Sequence, residues 1–266
     1  MFDNRIDRFG DPKGGGGVNS DHESGFFSDL PFSTPAPYHA YFNDFDTYAA
    51  GDWTVTTVTS GSPTQALTAA NGGVLALTNT TGTSDSTSFQ LKNASFQLAS
   101  GLRCWGKMTV KVSSTAPNLI LGLANSTTTP FSGFTDGIWL SNVATALTVQ
   151  ILANSGTAQT LTASTGAVPT LVAGSYFTFT WYYDGGVYSA GGQSGPQYGR
   201  VVMELSGAGV SAAWRNEIAC GSTFPYTTLL TPTLALQNTT GIASVLSVDQ
   251  VYVVEDRTSI LATPTF

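Results

Sequence analysis

The stretch LRCWGKMTVKVS, Leu102 to Ser113, decides the fold. Leu102, Cys104, Met108, Val110 and Val112 fall on one phase of a two-residue period, and Arg103, Lys107, Thr109 and Lys111 on the other. That period belongs to a strand with one buried and one open face, whereas a helix needs apolar residues every three to four positions. YFTFTWYY, Tyr176 to Tyr183, repeats the pattern, with Phe177, Phe179, Trp181 and Tyr183 inward and Tyr176, Thr178, Thr180 and Tyr182 outward. Its β-branched and aromatic residues suit a pleated surface.

Similar short runs are WTVTTVT, GGVLALTN, NLILGLAN, DGIWLSN, ALTVQILAN, GRVVMELSG, PTLALQN and SVLSVDQVYVVED, separated by Gly, Asn, Pro and Ser clusters that punctuate turns. No ten-residue window carries a helical period. Many short strands without crossover helices predict an all-β, antiparallel fold of two stacked sheets. The lack of a fixed-length repeat argues against a propeller or β-helix.

Charged residues make up only 10% of the 266 positions, against about 25% in an ordinary soluble domain. Thr, Ser, Gly and Asn take their place, so the surface is neutral and polar. The apolar share of 41% is too high for a disordered chain. A net charge of −7 with dispersed Lys and Arg leaves no basic stripe for nucleic acid. No apolar run is long enough to span a bilayer, and MFDNRIDRFGDPKGGGG has no signal-peptide core, so synthesis in a cytoplasm is expected, with no membrane partner. Cys104 and Cys220 read as two buried thiols, although one bridge is open to them.

Residues 1–40 form a separate segment. They hold six acids, three bases, the run Gly14 to Gly17 and the exit PFSTPAPY, and sustain neither period. Read as an extended N-terminal arm, the segment could reach on the order of 130 Å. Ordering it costs about 1–2 kcal/mol per residue, so it is useful only if it grips something. Phe26, Phe27, Leu30 and Phe32 are the expected grips. A sandwich domain is expected over residues 41–258, and a C-terminal tail over 259–266.

Catalytic constellations are missing from the reading. His22 and His39 both fall in the arm, which leaves no Ser-His-Asp or Cys-His site for the domain. The glycine run lacks the GK[ST] of a phosphate loop. Beyond the arm, the glutamates are Glu204, Glu217 and Glu255. Glu204 reads as a solvent-face strand residue. Trp105 lies on the outward phase of its strand, and Trp139 is out of phase with Ile138 and Leu140. An outward Trp can stack on a sugar, anchor a protein partner or lie beneath a loop of its own domain.

In order along the chain, YFNDFDTYAAGDW, GGVLALTN, FQLASGLRCWGKMTVKVS, LILGLAN, DGIWL, LVAGSYFTFTWYYDGG and SVLSVDQVYVVED resemble the concanavalin A-like lectin/glucanase jelly roll over residues 41–257. In that superfamily an aromatic-acidic edge opens the domain and a V-D-x-V-x-V strand closes it beside the first. The resemblance implies a structural calcium where the two meet, held by Asp249 with Asp44 or Asp46. It implies hydrolase activity only with an E-x-D-x-x-E strand, because retaining hydrolysis needs two carboxyls about 5 Å apart. This chain has none.

The Thr-, Ser-, Ala- and Gly-rich runs are also similar to structural proteins of tailed-bacteriophage virions. The expectation is therefore a non-enzymatic capsid decoration, or cement, protein on the capsid exterior. Its partners would be the major capsid protein and neighbouring copies of itself, in a symmetric oligomer such as a trimer. Contact would run through Phe26, Phe27, Leu30, Phe32 and Trp105. The alternative is a lectin-like module that binds surface glycans through Trp105 and Trp139. A glycan hydrolase ranks third.

Overall fold

The structure, a computed structural model, describes residues 38–58, 62–70, 72–99, 101–143, 146–152, 159–161, 169–185, 199–220 and 228–256. Fifteen strands occupy them: β1 Tyr38–Asn43, β2 Trp53–Val58, β3 Thr64–Thr68, β4 Val74–Thr78, β5 Ser86–Leu91, β6 Arg103–Val112, β7 Asn118–Ala124, β8 Gly137–Val143, β9 Ala146–Leu152, β10 Gln159–Leu161, β11 Tyr176–Asp184, β12 Arg200–Ser206, β13 Trp214–Ala219, β14 Thr231–Gln237 and β15 Val245–Asp256. Every pairing is antiparallel.

They form two sheets. The eight-stranded sheet runs β13-β12-β11-β6-β15-β4-β3, with β1 beside the C-terminal half of β15, and the seven-stranded sheet runs β10-β9-β8-β7-β14-β5-β2. The two-sheet all-β fold is the one that the period of two predicts. The closing strand does lie beside the first, with Tyr41 opposite Val253.

The inward residues of both sheets meet in one core. Cys104, Met108, Val110, Val112, Phe177, Phe179, Trp181 and Tyr183 come from the larger sheet, and Leu119, Leu121, Leu123, Ile138, Leu140 and Phe89 from the smaller. Trp181 lies directly over Gly106 on the neighbouring strand, where a Cβ would run into the indole ring. In β15 the alternation slips once. A register shift between Val248 and Gln250 makes Asp249 the extra residue of a bulge, so that Val248 and Val251, three apart, both reach the core.

One boundary is corrected. β1 begins at Tyr38, so His39 belongs to the domain and not to the arm. The expected grips Phe26, Phe27, Leu30 and Phe32 lie outside the described residues, as does the tail at 259–266.

Candidate functional site

Alternation puts Trp139, Ser141 and Val143 of β8 on the outer face of the seven-stranded sheet, beside Ile120 of β7 and Gln150 and Leu152 of β9. Over this face folds the β7–β8 connection, residues 125–136. Asn125 closes it as a ring, its Oδ1 accepting the N–H of Thr135 at 2.9 Å and of Asp136 at 3.1 Å. Gln90 of β5 fastens it from below: Nε2 donates to Asn125 O at 3.1 Å and to Thr233 Oγ1 at 2.9 Å, and Oε1 accepts Thr127 N–H at 2.9 Å. Gln90 is buried with both ends of its amide used.

Between this loop and the sheet lies a hollow of about 240 Å³, lined by Ile120, Pro130, Phe131, Ser132, Phe134, Trp139, Ser141, Val143, Gln150 and Leu152. Phe134 and Trp139 pack with ring centroids 5.2 Å apart. Gly122, opposite Trp139, has φ +155°, and a Cβ there would meet Ile138 O and the Trp139 backbone, so glycine sets how the tryptophan seats. None of the lining residues is charged. The site offers aromatic and aliphatic walls with hydroxyl and amide groups, and no acid or base to move a proton.

The sequence-derived candidates distribute unevenly. Trp139 faces outward as its phase predicts and lies at the floor of the hollow, but Phe134 packs on it and leaves it only 4% exposed. Trp105 is likewise on an outer face, that of the eight-stranded sheet, but is only 2% exposed. It packs with Val254, Tyr38, Tyr182 and Tyr252, and the Arg103 guanidinium lies 4.9 Å over its ring. The expected exposed anchor is thus corrected, because large cross-strand neighbours lean over it. Glu204 is partly buried on that same face and paired with Arg215 at 3.3 Å, and Glu217 pairs with Arg200 at 3.1 Å. Neither glutamate reaches the hollow.

Asp249 and Asp44 do come close. Burial first, and then the charge of Asp44, push the Asp249 carboxyl upward. Yet no group of three or more His, Cys, Asp or Glu among the described residues is arranged to hold a metal. A calcium ion takes six to eight oxygens, so Asp44 and Asp249 would supply only part of its shell and backbone carbonyls or water would have to complete it. Asp46 adds only a long 3.5 Å backbone N–H contact to Asp44 Oδ1.

His39, Glu255 and Cys104 share one inward row, being Cα partners across β1, β15 and β6, a grouping that assigning His39 to the arm had excluded. It is not a nucleophilic site. Glu255 stands between the other two, and burial pushes the Cys104 thiol well above its usual range. His39 Nε2 lies 2.9 Å from Ser95 Oγ. Cys220 is also a free, buried thiol, pushed up to about 12 by burial and by Asp184.

No family model and no curated protein sequence matches the chain. Solved structures do. An endo-1,3-beta-glucanase from Streptomyces sioyaensis superposes with TM-score 0.52 at 11% identity, covering 85% of this chain and 99% of that one. Peanut lectin gives TM-score 0.51 at 11% identity, over 82% and 97%. A protein of unknown function from Shewanella oneidensis MR-1 gives 0.52 at 14% identity, over 85% and 90%. Identities this low show the fold alone: the chain has a two-sheet jelly-roll sandwich like that of these structures.

Proposed function

We propose that this chain is a non-catalytic adhesion domain that takes one unit of a neutral glycan in the hollow over Trp139. The uncharged, aromatic-walled lining carries the reading. At about 240 Å³ the space falls below the ~300–1,000 Å³ of pockets for drug-sized ligands, and so suits a single sugar ring of a longer chain. Ser132 and Gln150 supply neutral donors and acceptors for hydroxyls, while Phe131 and Phe134 supply ring faces and edges above the Trp139 floor. An anionic ligand finds no cation there, in a chain of net charge −7. The fold it shares with lectins and a glucanase agrees with a glycan ligand. Hydrolysis is disfavoured because no carboxyl lines the hollow.

A glycan array followed by calorimetry tests this, using Phe131→Ala and Gln150→Ala with the fold checked by circular dichroism. Binding of a neutral saccharide that both substitutions weaken tenfold or more is expected. Failure to bind any neutral glycan, or binding indifferent to both changes, overturns the proposal.

A second reading, a virion structural subunit that clamps capsid neighbours through residues 1–40, draws on the neutral surface and on Phe42. That side chain is 54% exposed beside Tyr252, on the strand that the arm enters. Neutral hydroxyls and amides are cheap to bury against a neighbour. Co-sedimentation of full-length and 38–266 chains with capsids separates the two readings: capsid binding that depends on the arm supports this one.

A further inference from the structure

From Trp53 to Ser84 the chain carries no charged residue for thirty-two positions, and this run contains β2, an edge strand of the seven-stranded sheet. Proteins usually blunt such an edge with charge, proline or a bulge, because its unpaired N–H and C=O groups recruit further strands. β13, at an edge of the other sheet, follows that rule, with Arg215 and Glu217 on it. β2, WTVTTV, does not.

The Lys92 N–H bond to Asp52 O at 2.8 Å fixes which way the β2 backbone points. Asp52, Thr54, Thr56 and Val58 turn their backbone groups toward β5, so those of Val55 and Thr57 point away from it. Nothing among the described residues takes the latter. The edge is also stiff, since Trp53 stacks on Phe89 in the core at 4.6 Å. β3, equally uncharged, places no side chain in the core and is held less firmly.

We propose that β2 pairs with β2 of a second copy, antiparallel about a two-fold axis through Thr56, joining the seven-stranded sheets of both copies into one. In this register Val55 faces Thr57 of the partner, so the outward-pointing backbone groups of both satisfy one another in four hydrogen bonds. Thr56 meets Thr56, and Val58, 56% exposed, is set against Thr54. Inward residues meet inward residues, so the sheet stays in phase. A second copy is favoured over another partner for two reasons. An antiparallel edge is self-complementary about a two-fold, and two chains of charge −7 approach most easily where neither carries charge.

Sedimentation equilibrium of the full chain against Thr57→Pro, Thr56→Lys and, as control, Ala66→Lys on β3 tests this. Thr57→Pro removes one outward donor and no bond to β5, and Thr56→Lys sets two charges on the axis. The wild type and the β3 variant are expected to be dimers, and both β2 variants monomers that keep the wild-type circular dichroism spectrum and unfold cooperatively, at a melting temperature that no longer depends on protein concentration. Amide exchange at Val55 and Thr57 should be slow in the dimer and fast in the variants. A monomeric or trimeric wild type, a dimer that survives both β2 changes, or one broken by Ala66→Lys overturns it.

Discussion

The Glu255 carboxylate accepts the backbone N–H of Gln97 at 3.0 Å, tying the last strand to the segment that leads into β6. Burial pushes this carboxyl from 4.5 up to about 7; the Gln97 bond pulls it down and Asp256 adds a smaller push upward. Because the folded chain holds this proton more tightly than the unfolded chain does, the contribution to stability is full below about 4.5 and is lost as pH rises through about 7. Thermal melts should therefore fall between about pH 5 and about pH 8, and Glu255→Gln should flatten that part of the profile. An unchanged slope in the variant would place the titration elsewhere.

Gly106 gives the indole of Trp181 its seat. Gly106→Ala should cost at least about 1–3 kcal/mol in urea unfolding, because the atom it strikes belongs to a ring held on all sides in the core. A cost below that range would mean that Trp181 has room to move.

Gln90 links the sheet to the loop above it, so removing its amide leaves Thr127 N–H and Asn125 C=O without this partner. Gln90→Ala should cost about 1–3 kcal/mol. It should also speed proteolysis within residues 125–136 and weaken saccharide binding through the loop. Limited proteolysis with mass spectrometry reads the first effect, and calorimetry the second.

Asp44 and Asp249 repel each other, and no third carboxylate, His or Cys among the described residues joins them in a group that could hold a metal. Chelator or added calcium should leave the melting temperature unchanged, and Asp249→Asn should raise it slightly by removing the repulsion. A calcium-dependent rise, lost in Asp249→Asn, would restore the metal that the resemblance implied.

The sequence determined the fold class and the face of most strands. In β6 and β11 the inward apolar period is two, broken only at Gly106, and a period of two has one physical meaning on a pleated backbone. It did not reveal β3, β5, β10 or β13. STSFQL carries Ser88 and Gln90 on its outer face, where they look like loop residues; both are buried, and the 125–136 segment bonds Gln90 through Asn125 and Thr127. The same gap explains the sites. Phase placed Trp105 and Trp139 outside, but exposure depends on what lies above. Tertiary structure alone decided that Trp105 is covered, that Trp139 floors a hollow, and that His39 stands beside Glu255. The partners concerned lie dozens to hundreds of residues apart, as Gln90 and Asn125 or His39 and Glu255 do. Local alternation carries no information about such meetings, because they are fixed by strand order and by the loops that fold over each sheet.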